Sequence, residues 1–469
     1  MAAGLGKRMH SSIPKVLHEA GGRPILFHIL HTIKSALPGA PVAIIVGHGR
    51  ELVERAVRGC KAFPDMNLEF VQQCEQLGTG HAVKCAMESK WGSAVISQSL
   101  PVLVMPGDSP LVTGALVAEL AAPMKRGDVM RLLTCEVDDP HGYGRIARRG
   151  KHGPVLRIVE ENEATAREKE IREVAVSMYL FRPAFLNASL ARLSNKNNKR
   201  EYYLTDLVSQ AVRSKKKIDV LKWHSAAELM GVNDPYELSV AARLLNGRKL
   251  RALAVEGVRF VDPCCTIVDA DVEIEEDVTV WPGAILQGWT RIGRGAVIGP
   301  RVVLKDVTVG PGANIKAGTV AEKSTIGERA QIGPYAHLRP DSVVGNEAKI
   351  GNFVELKKAT IGAKTSVAHL SYVGDAELGE RVNIGCGFIT CNFDGRVIDG
   401  ERKHKSIIED DVFMGSDCQI VAPIRIGKGA YVASGSTITE NVEADSLAIA
   451  RTRQVTKPGY AKKLRGEAS

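Results

Sequence analysis

The stretch Leu286-Gln287-Gly288-Trp289-Thr290-Arg291-Ile292-Gly293-Arg294-Gly295-Ala296-Val297-Ile298-Gly299 repeats itself every six residues. Leu286, Ile292 and Ile298 are each followed by glycine within two positions. A helix repeats near 3.6 residues and an ordinary strand at 2, so neither produces this step. A hexapeptide solenoid does, because each short strand sends one aliphatic side chain inward before the chain turns. The series extends back through Val280, Ile274 and Val268 and forward to Leu304. A slip of five gives Val309 and Ile315. The step of six then resumes at Ile326, Ile332, Leu338, Val344, Ile350 and Leu356. Further runs are Ile361, Val367, Val373, then Leu378, Ile384, and last Met414, Ile420, Ile426, Val432, Ile438. The expected architecture is a left-handed parallel β-helix with three strands per triangular coil. Its stacked aliphatic rows form the core, and Gly or Asn takes many corners, where positive φ is cheap.

The first half lacks this period. Strand-like runs Val42–Val46, 102–105 and 174–181 alternate with helix-like stretches Ile25–Ala36 and 51–57, which predicts an α/β sheet with covering helices. Residues 234–253 read as a helix, with Asp234 as its cap and Pro235 in its first turn. The expected domains are residues 1–233, a linker helix over 234–262, and the β-helix with a basic tail over 263–469.

A length of 469 residues exceeds one ordinary core. The net charge of +9 suits acidic partners. With no zinc finger and no basic-aromatic stacking motif, phosphorylated metabolites are favoured over nucleic acid. Nine cysteines without C-x-x-C spacing argue against a disulfide framework and for a reducing cytoplasm. No signal peptide and no apolar run of about 18 residues is seen, so no membrane span is expected.

The chain opens Met1-Ala2-Ala3-Gly4-Leu5-Gly6-Lys7-Arg8, followed by Ile13-Pro14-Lys15. Gly4 and Gly6 let backbone approach phosphates, and Arg8 and Lys15 supply positive charge. Joined to Pro14-Lys15, this loop resembles the sugar-1-phosphate nucleotidyltransferase signature. More stretches match in order: Gln73-Cys74-Glu75-Gln76-Leu77-Gly78-Thr79-Gly80-His81, Gly142-Tyr143-Gly144-Arg145-Ile146, Glu201-Tyr202-Tyr203-Leu204-Thr205-Asp206 and Gly231-Val232-Asn233. In the second half they are His337-Leu338-Arg339-Pro340, 351–358, His369-Leu370-Ser371-Tyr372 and Thr390-Cys391-Asn392. Over nearly its whole length the chain resembles the bacterial family of bifunctional N-acetylglucosamine-1-phosphate uridyltransferases and glucosamine-1-phosphate N-acetyltransferases. The first domain is thereby expected to be a Rossmann-like nucleotidyltransferase.

The resemblance implies two sites. In the first, Arg8 and Lys15 act on the phosphates of UTP, Ala2, Ala3 and Gly4 lie in the nucleotide loop, and Gln73, Gly78 and Thr79 recognise uracil. Gly144 and Glu160 contact the sugar, and Asp108 and Asn233 hold Mg²⁺, with Asn233 also among the nucleotide contacts. In the second, His369 is the general base and Glu355 orients or polarises it. Arg339 and Lys357 clamp the sugar phosphate, with Tyr372 and Asn383 completing the acceptor pocket. Cys386, Asn392, Phe393, Ser416, Ser434 and Arg451 match acetyl-CoA contacts. Related β-helix acyltransferases form trimers, so a homotrimer is expected.

Several positions depart from the family pattern. The signature normally follows a buried strand, so either a start upstream of Met1 or a sheet without its first strand is expected, and the former is favoured. Ala175 replaces the family's sugar-binding Asn, and Pro106 a Tyr. Phe393 replaces a common Tyr, while Cys386 and Ser434 each replace a common Ala. The loop 392–405 is longer than usual; its basic cluster is either solvated or a partner for CoA phosphates, and the basic tail 457–465 is a candidate for the same role. Two other readings follow from these departures: an acetyltransferase with an impaired first domain, and a non-catalytic regulatory protein of the same architecture.

Overall fold

A computed structural model of the chain describes every residue except Leu5, Lys151, His152, Asn198, Arg396, Ile398, Asp399, Glu401, Ala468 and Ser469. It divides into two compact units, Met1–Leu245 and Asn246–Ser469, and the helix Pro235–Val255 runs across that division. Asp234 caps this helix: its Oδ1 accepts from the Glu237 N–H at 2.8 Å, satisfying an orphan donor of the first turn.

In the first unit the sheet comes in two pieces. Val42–Val46 pairs in parallel with Leu68–Gln72. The other piece runs Lys217–Trp223, Asp128–Glu136, Glu173–Phe181, Gly144–Arg148, Val155–Val159. Val102–Val104 joins the end of Glu173–Phe181, antiparallel. Glu173–Phe181 therefore changes partners along its length, with Gly144 opposite Ala175 and Val102 opposite Phe181. The change falls at an irregularity in its pairing with Asp128–Glu136, next to Ser177, which has φ +55°. This brings the Gly144 hairpin and the 102–108 segment to one strand.

Residues 1–2 bridge the two pieces. The Ala2 N–H donates to the Ile45 carbonyl (2.7 Å), and Ala2 forms a parallel bridge with Val46. The Met1 amino group donates to the Met105 carbonyl (2.8 Å), and the Gly107 N–H donates to the Met1 carbonyl (2.6 Å). Burial pushes the Met1 amino group down to about 6, against the pull of Asp108. Behind this bridge lies an apolar cavity of about 370 Å³. Its walls include Ile44 and Leu103 from the facing strands, Ile29 and Ile33 from one helix layer, and Met87 and Trp91 from the other. A strand running into Ala2 would pass through this slot.

An apolar hexapeptide placed ahead of Met1 is expected to enter the slot and stabilise the first unit. Residual cavities cost about 24 cal/mol per Å³, so filling this one roughly matches the ordering entropy of six residues, and the ladder hydrogen bonds made to strands on either side tip the balance. The calorimetric unfolding midpoint should rise by roughly 10 °C, the size of effect a few kcal/mol has on a domain of this length. An unchanged midpoint would show that the slot takes no strand.

In the second unit the strands form one 11-stranded and one 17-stranded parallel sheet. The core rows stand in register: Leu286, Leu304, Ala321, Leu338, Leu356 and Val373 lie one above another. All are buried in one continuous cluster. The slip of five keeps its aliphatics inside, since Val309 and Ile315 are also buried; the corner absorbs the missing residue. Glycine takes some corners, such as Gly283 (φ +77°) and Gly295 (φ +68°). Others carry Arg301, Asp341, Glu347 and Arg381 with φ between 55° and 65°, beyond the expected Gly and Asn. At these corners the N–H donates to a corner carbonyl one coil back: Arg301 to Pro282, Asp341 to Lys323, Glu347 to Glu328, Arg381 to Ala363. The recurring hydrogen bond offsets the cost of about 1–2 kcal/mol for a side chain in the left-handed region.

Candidate active sites

The first site lies where strand ends and the N-terminal loop meet. Val42–Val46 leads to Gly47, Leu68–Gln72 to Gln73, and Val102–Val104 to Asp108. Ligands of open α/β sheets bind outside the carboxyl ends of parallel strands. Ala2 and Ala3 are buried and start the loop, followed by exposed Gly4. Gly6 has φ +58°, and a Cβ there would stand 2.8 Å from Lys15 Cβ, so the position requires glycine. Arg8 is exposed on the short helix Lys7–Met9.

Lys15 closes a polar cluster. Its Nζ lies 2.5 Å from Asp108 Oδ2 and 3.3 Å from Asn233 Oδ1. The Val232 N–H donates to the Asp108 carbonyl (2.8 Å), tying the two oxygen donors together through backbone. Gln73 is buried, and its Nε2 donates to the Gly78 carbonyl (3.1 Å). The Tyr202 N–H donates to Leu77, the Gly80 N–H to Tyr202, and the Leu204 N–H to Thr79 Oγ1 (3.1 Å). Gly78 has φ +100° and packs on the Tyr202 carbonyl. The 73–80 loop is thus stitched to 202–204, contacts that the sequence does not announce.

Gly144 pairs with Ala175, and Glu160 accepts from Thr205 Oγ1 (2.8 Å). Beside them the fully buried Arg145 pairs with Glu161 at 2.5 Å, and the Gly142 N–H donates to the same carboxylate (3.0 Å). The Arg145 guanidinium, then Gly142, hold the Glu161 carboxyl below the ordinary carboxylate range. A depressed acid stabilises the fold above its unfolded value and loses that contribution as pH falls through its folded value. Glu161→Gln, which leaves Arg145 without its counter-charge, is therefore expected to lower the urea midpoint at neutral pH. The difference should begin to narrow as pH falls below the free Glu value of about 4.3 and close only below the depressed folded value.

The second site occupies a corner of the β-helix and the face that follows it. His369 ends the strand Ser366–His369 and is exposed; its Nδ1 lies 2.7 Å from Asn352 Oδ1, one coil below. Glu355 pairs instead with Arg339 at 3.0 Å. The register explains this: Asn352 stands directly opposite His369, whereas Glu355 stands opposite Tyr372. Glu355 is held by Arg339, and the contact to the imidazole comes from Asn352, which sequence reading missed. Its sequence signal was the separation of 17 residues, one coil, from His369.

Lys357 stands opposite Gly374, and the Arg339 N–H donates to the Leu356 carbonyl (2.9 Å), which aligns both cations on adjacent coils of one face. The absence of a side chain on Gly374 leaves room for the Tyr372 hydroxyl and Asn392, which are 3.4 Å apart. Asn392 Nδ2 also donates to Asp375 Oδ2 (2.5 Å). Phe393 lies under the Lys403 ammonium at 4.1 Å. The loop they open includes 396, 398–399 and 401, outside the described residues.

Asn383 lies on the coil above His369, opposite Ser366. The corner continues upward from His369. The Asp417 N–H donates to the Cys386 carbonyl (2.6 Å) and the Gly435 N–H to the Ser416 carbonyl (2.8 Å). Ser434 packs over Gly415, and Arg451 lies near Gly435. Cys386, Ser416, Ser434 and Arg451 therefore climb one edge in steps of about 4.8 Å, an extended track starting at the imidazole. Asn392 and Phe393 lie apart from that edge, on the loop that follows Ile389–Cys391.

A phosphate loop with a lysine–carboxylate–amide cluster on a sheet, joined to a hexapeptide solenoid carrying an exposed imidazole, defines a nucleotidyltransferase linked to a hexapeptide-repeat transferase. Family models agree. Residues 1–196 match the MobA-like NTP transferase domain, and residues 271–306 and 323–358 match the bacterial transferase hexapeptide (six repeats). The chain is 43% identical over 466 residues to the bifunctional protein GlmU of Trichlorobacter lovleyi, spanning 99% of this chain and 98% of that one. It is 41% identical to the protein of that name from Pelobacter propionicus and 42% to that from Caldanaerobacter subterraneus, over 98% of this chain and 96% of each relative. The chain belongs to the GlmU family of bifunctional proteins.

Proposed function

We propose that the chain makes UDP-N-acetylglucosamine at two sites. Residues 263–469 acetylate the amine of glucosamine 1-phosphate with acetyl-CoA. Residues 1–233 then join the product to UTP and release pyrophosphate. Near full-length relatedness to bifunctional GlmU proteins carries this reading.

At the first site, a sugar-phosphate oxygen attacks the α-phosphorus in line, and the protein positions groups and offsets charge. Arg8 and Lys15 hold phosphates, Ala2, Ala3 and Gly4 line the nucleotide loop, Gln73, Gly78 and Thr79 take uracil, and Gly144 and Glu160 take the sugar. Asp108 and Asn233 suit Mg²⁺, because a single cation, the Lys15 ammonium, already bonds oxygens of both. Magnesium prefers one or two protein oxygens plus phosphates. No cage of three or more His, Cys, Asp or Glu occurs among the described residues. When bound, the metal neutralises phosphate charge.

At the second site, His369 takes the proton of the sugar ammonium so that the free amine attacks the thioester. With Asn352 Oδ1 accepting from Nδ1–H, the basic lone pair sits on Nε2. Arg339 and Lys357 clamp the phosphate, Tyr372, Asn383 and Glu355 complete the acceptor pocket, and Cys386, Asn392, Phe393, Ser416, Ser434 and Arg451 bind acetyl-CoA. The active assembly is a homotrimer in the cytoplasm. The nine free cysteines accord with a reducing compartment, and no helix among the described residues is long and apolar enough to cross a membrane.

Separate assays test the reading: CoA release from acetyl-CoA plus glucosamine 1-phosphate, and pyrophosphate release from UTP plus N-acetylglucosamine 1-phosphate. Both should be positive, with light scattering reporting a trimer. Acetyl transfer alone would favour the narrower reading, for which Ala175 beside Gly144 is the structural argument.

A further inference from the structure

We propose that Lys15 occupies the metal position of the nucleotidyltransferase site until a nucleotide draws it away, so that metal entry depends on nucleotide binding. This rests on reading Asp108 and Asn233 as the metal ligands. The ammonium is hydrogen-bonded to both oxygens, at 2.5 and 3.3 Å. The Lys15 side chain is only 11% exposed, so it is a packed part of the site. Its stem lies against Gly6, where even a methyl group would collide with it. The notch is held by backbone: the Val232 N–H bonds to Asp108, and the Asn233 N–H donates to Glu237 Oε2 (2.6 Å).

A Mg²⁺ ion needs oxygen ligands at about 2.0–2.1 Å. An ion at that distance from Asp108 Oδ2 and Asn233 Oδ1 would share the notch with the Lys15 ammonium. Two cations there repel, and the carboxylate cannot donate its oxygen fully to both. In the free protein the lysine therefore competes with the metal. A triphosphate changes the balance twice: it offers Lys15 other anionic oxygens, and it supplies the additional ligands that magnesium requires. Metal and nucleotide then bind with positive coupling, and each tightens the other by the same factor.

Mn²⁺ titration of the full chain, followed by the electron paramagnetic resonance signal of the free ion, reads this without turnover. Wild-type protein should bind Mn²⁺ weakly alone and about tenfold more tightly or better with α,β-methylene-UTP. Lys15→Met and Lys15→Gln should each bind Mn²⁺ about tenfold more tightly than wild type without nucleotide, and lose most of the coupling. Affinity no higher than wild type in both variants overturns the proposal. Adding Asp108→Asn to Lys15→Met separates the two ideas. If Mn²⁺ binding then collapses, the ligand assignment stands whatever the lysine does. If it is unchanged, the ligand assignment fails and takes the proposal with it.

Discussion

His369→Ala is expected to reduce acetyl transfer by about 10²–10⁴-fold, the usual contribution of a positioned general base, while pyrophosphate release from UTP is unchanged. The loss should appear in kcat at saturating acetyl-CoA, since the track above the corner does not depend on the imidazole. Circular dichroism should be unaltered, because the ring is exposed and outside the aliphatic core. Asn352→Ala supplies the graded control. It removes the group at 2.7 Å that sets the tautomer, so its loss of kcat should be clearly smaller than that of His369→Ala. A His369→Ala protein with full acetyl-transfer rate would remove the imidazole from the mechanism.

Asp108→Ala is expected to have the opposite pattern: uridylyl transfer falls by about 10²-fold or more, as when one preorganised electrostatic contact to developing charge is lost, and acetyl transfer continues. It also leaves Lys15 without its partner at 2.5 Å, in a position only 11% exposed. A modest destabilisation of the first unit should accompany the loss, because the ammonium is left partly desolvated. The expected outcome is pyrophosphate release that excess Mg²⁺ does not rescue. Retained pyrophosphate release would remove Asp108 from the site.

The two variants separate cleanly because their targets belong to different units of the chain. They also differ in how far they could be foreseen. Lys15, Asp108 and Asn233 are 93 and 218 residues apart in pairwise separation from Lys15, and no periodicity links them; the family resemblance alone nominated them together. His369 was nominated the same way, and the contact that Asn352 makes with it was not foreseen. Choosing between Asn352 and Glu355 depends on which residue faces His369 across coils, and a few residues around a corner change that. The slot behind Met1 was foreshadowed by the family's preceding strand, but its apolar walls come from two helix layers and two strand edges that only folding assembles.

The six-residue step by itself determined that the second half is a solenoid. A repeat of one inward aliphatic per strand is a local instruction, obeyed coil by coil, and it also settled the main rows of the core; the second buried row, two positions earlier at Val272, Val278, Ala284, Ala296 and Val302, emerged only in the fold. It did not settle the corners, where Arg301, Asp341 and Glu347 adopt positive φ without being Gly or Asn. The structure decided those through hydrogen bonds to the coil below. It likewise decided that Asn352 meets His369 and that the Lys15 ammonium lies between Asp108 and Asn233. Those contacts depend on register and on strand ends meeting in space, and a one-dimensional pattern carries the period of a coil but not which atoms face each other across it.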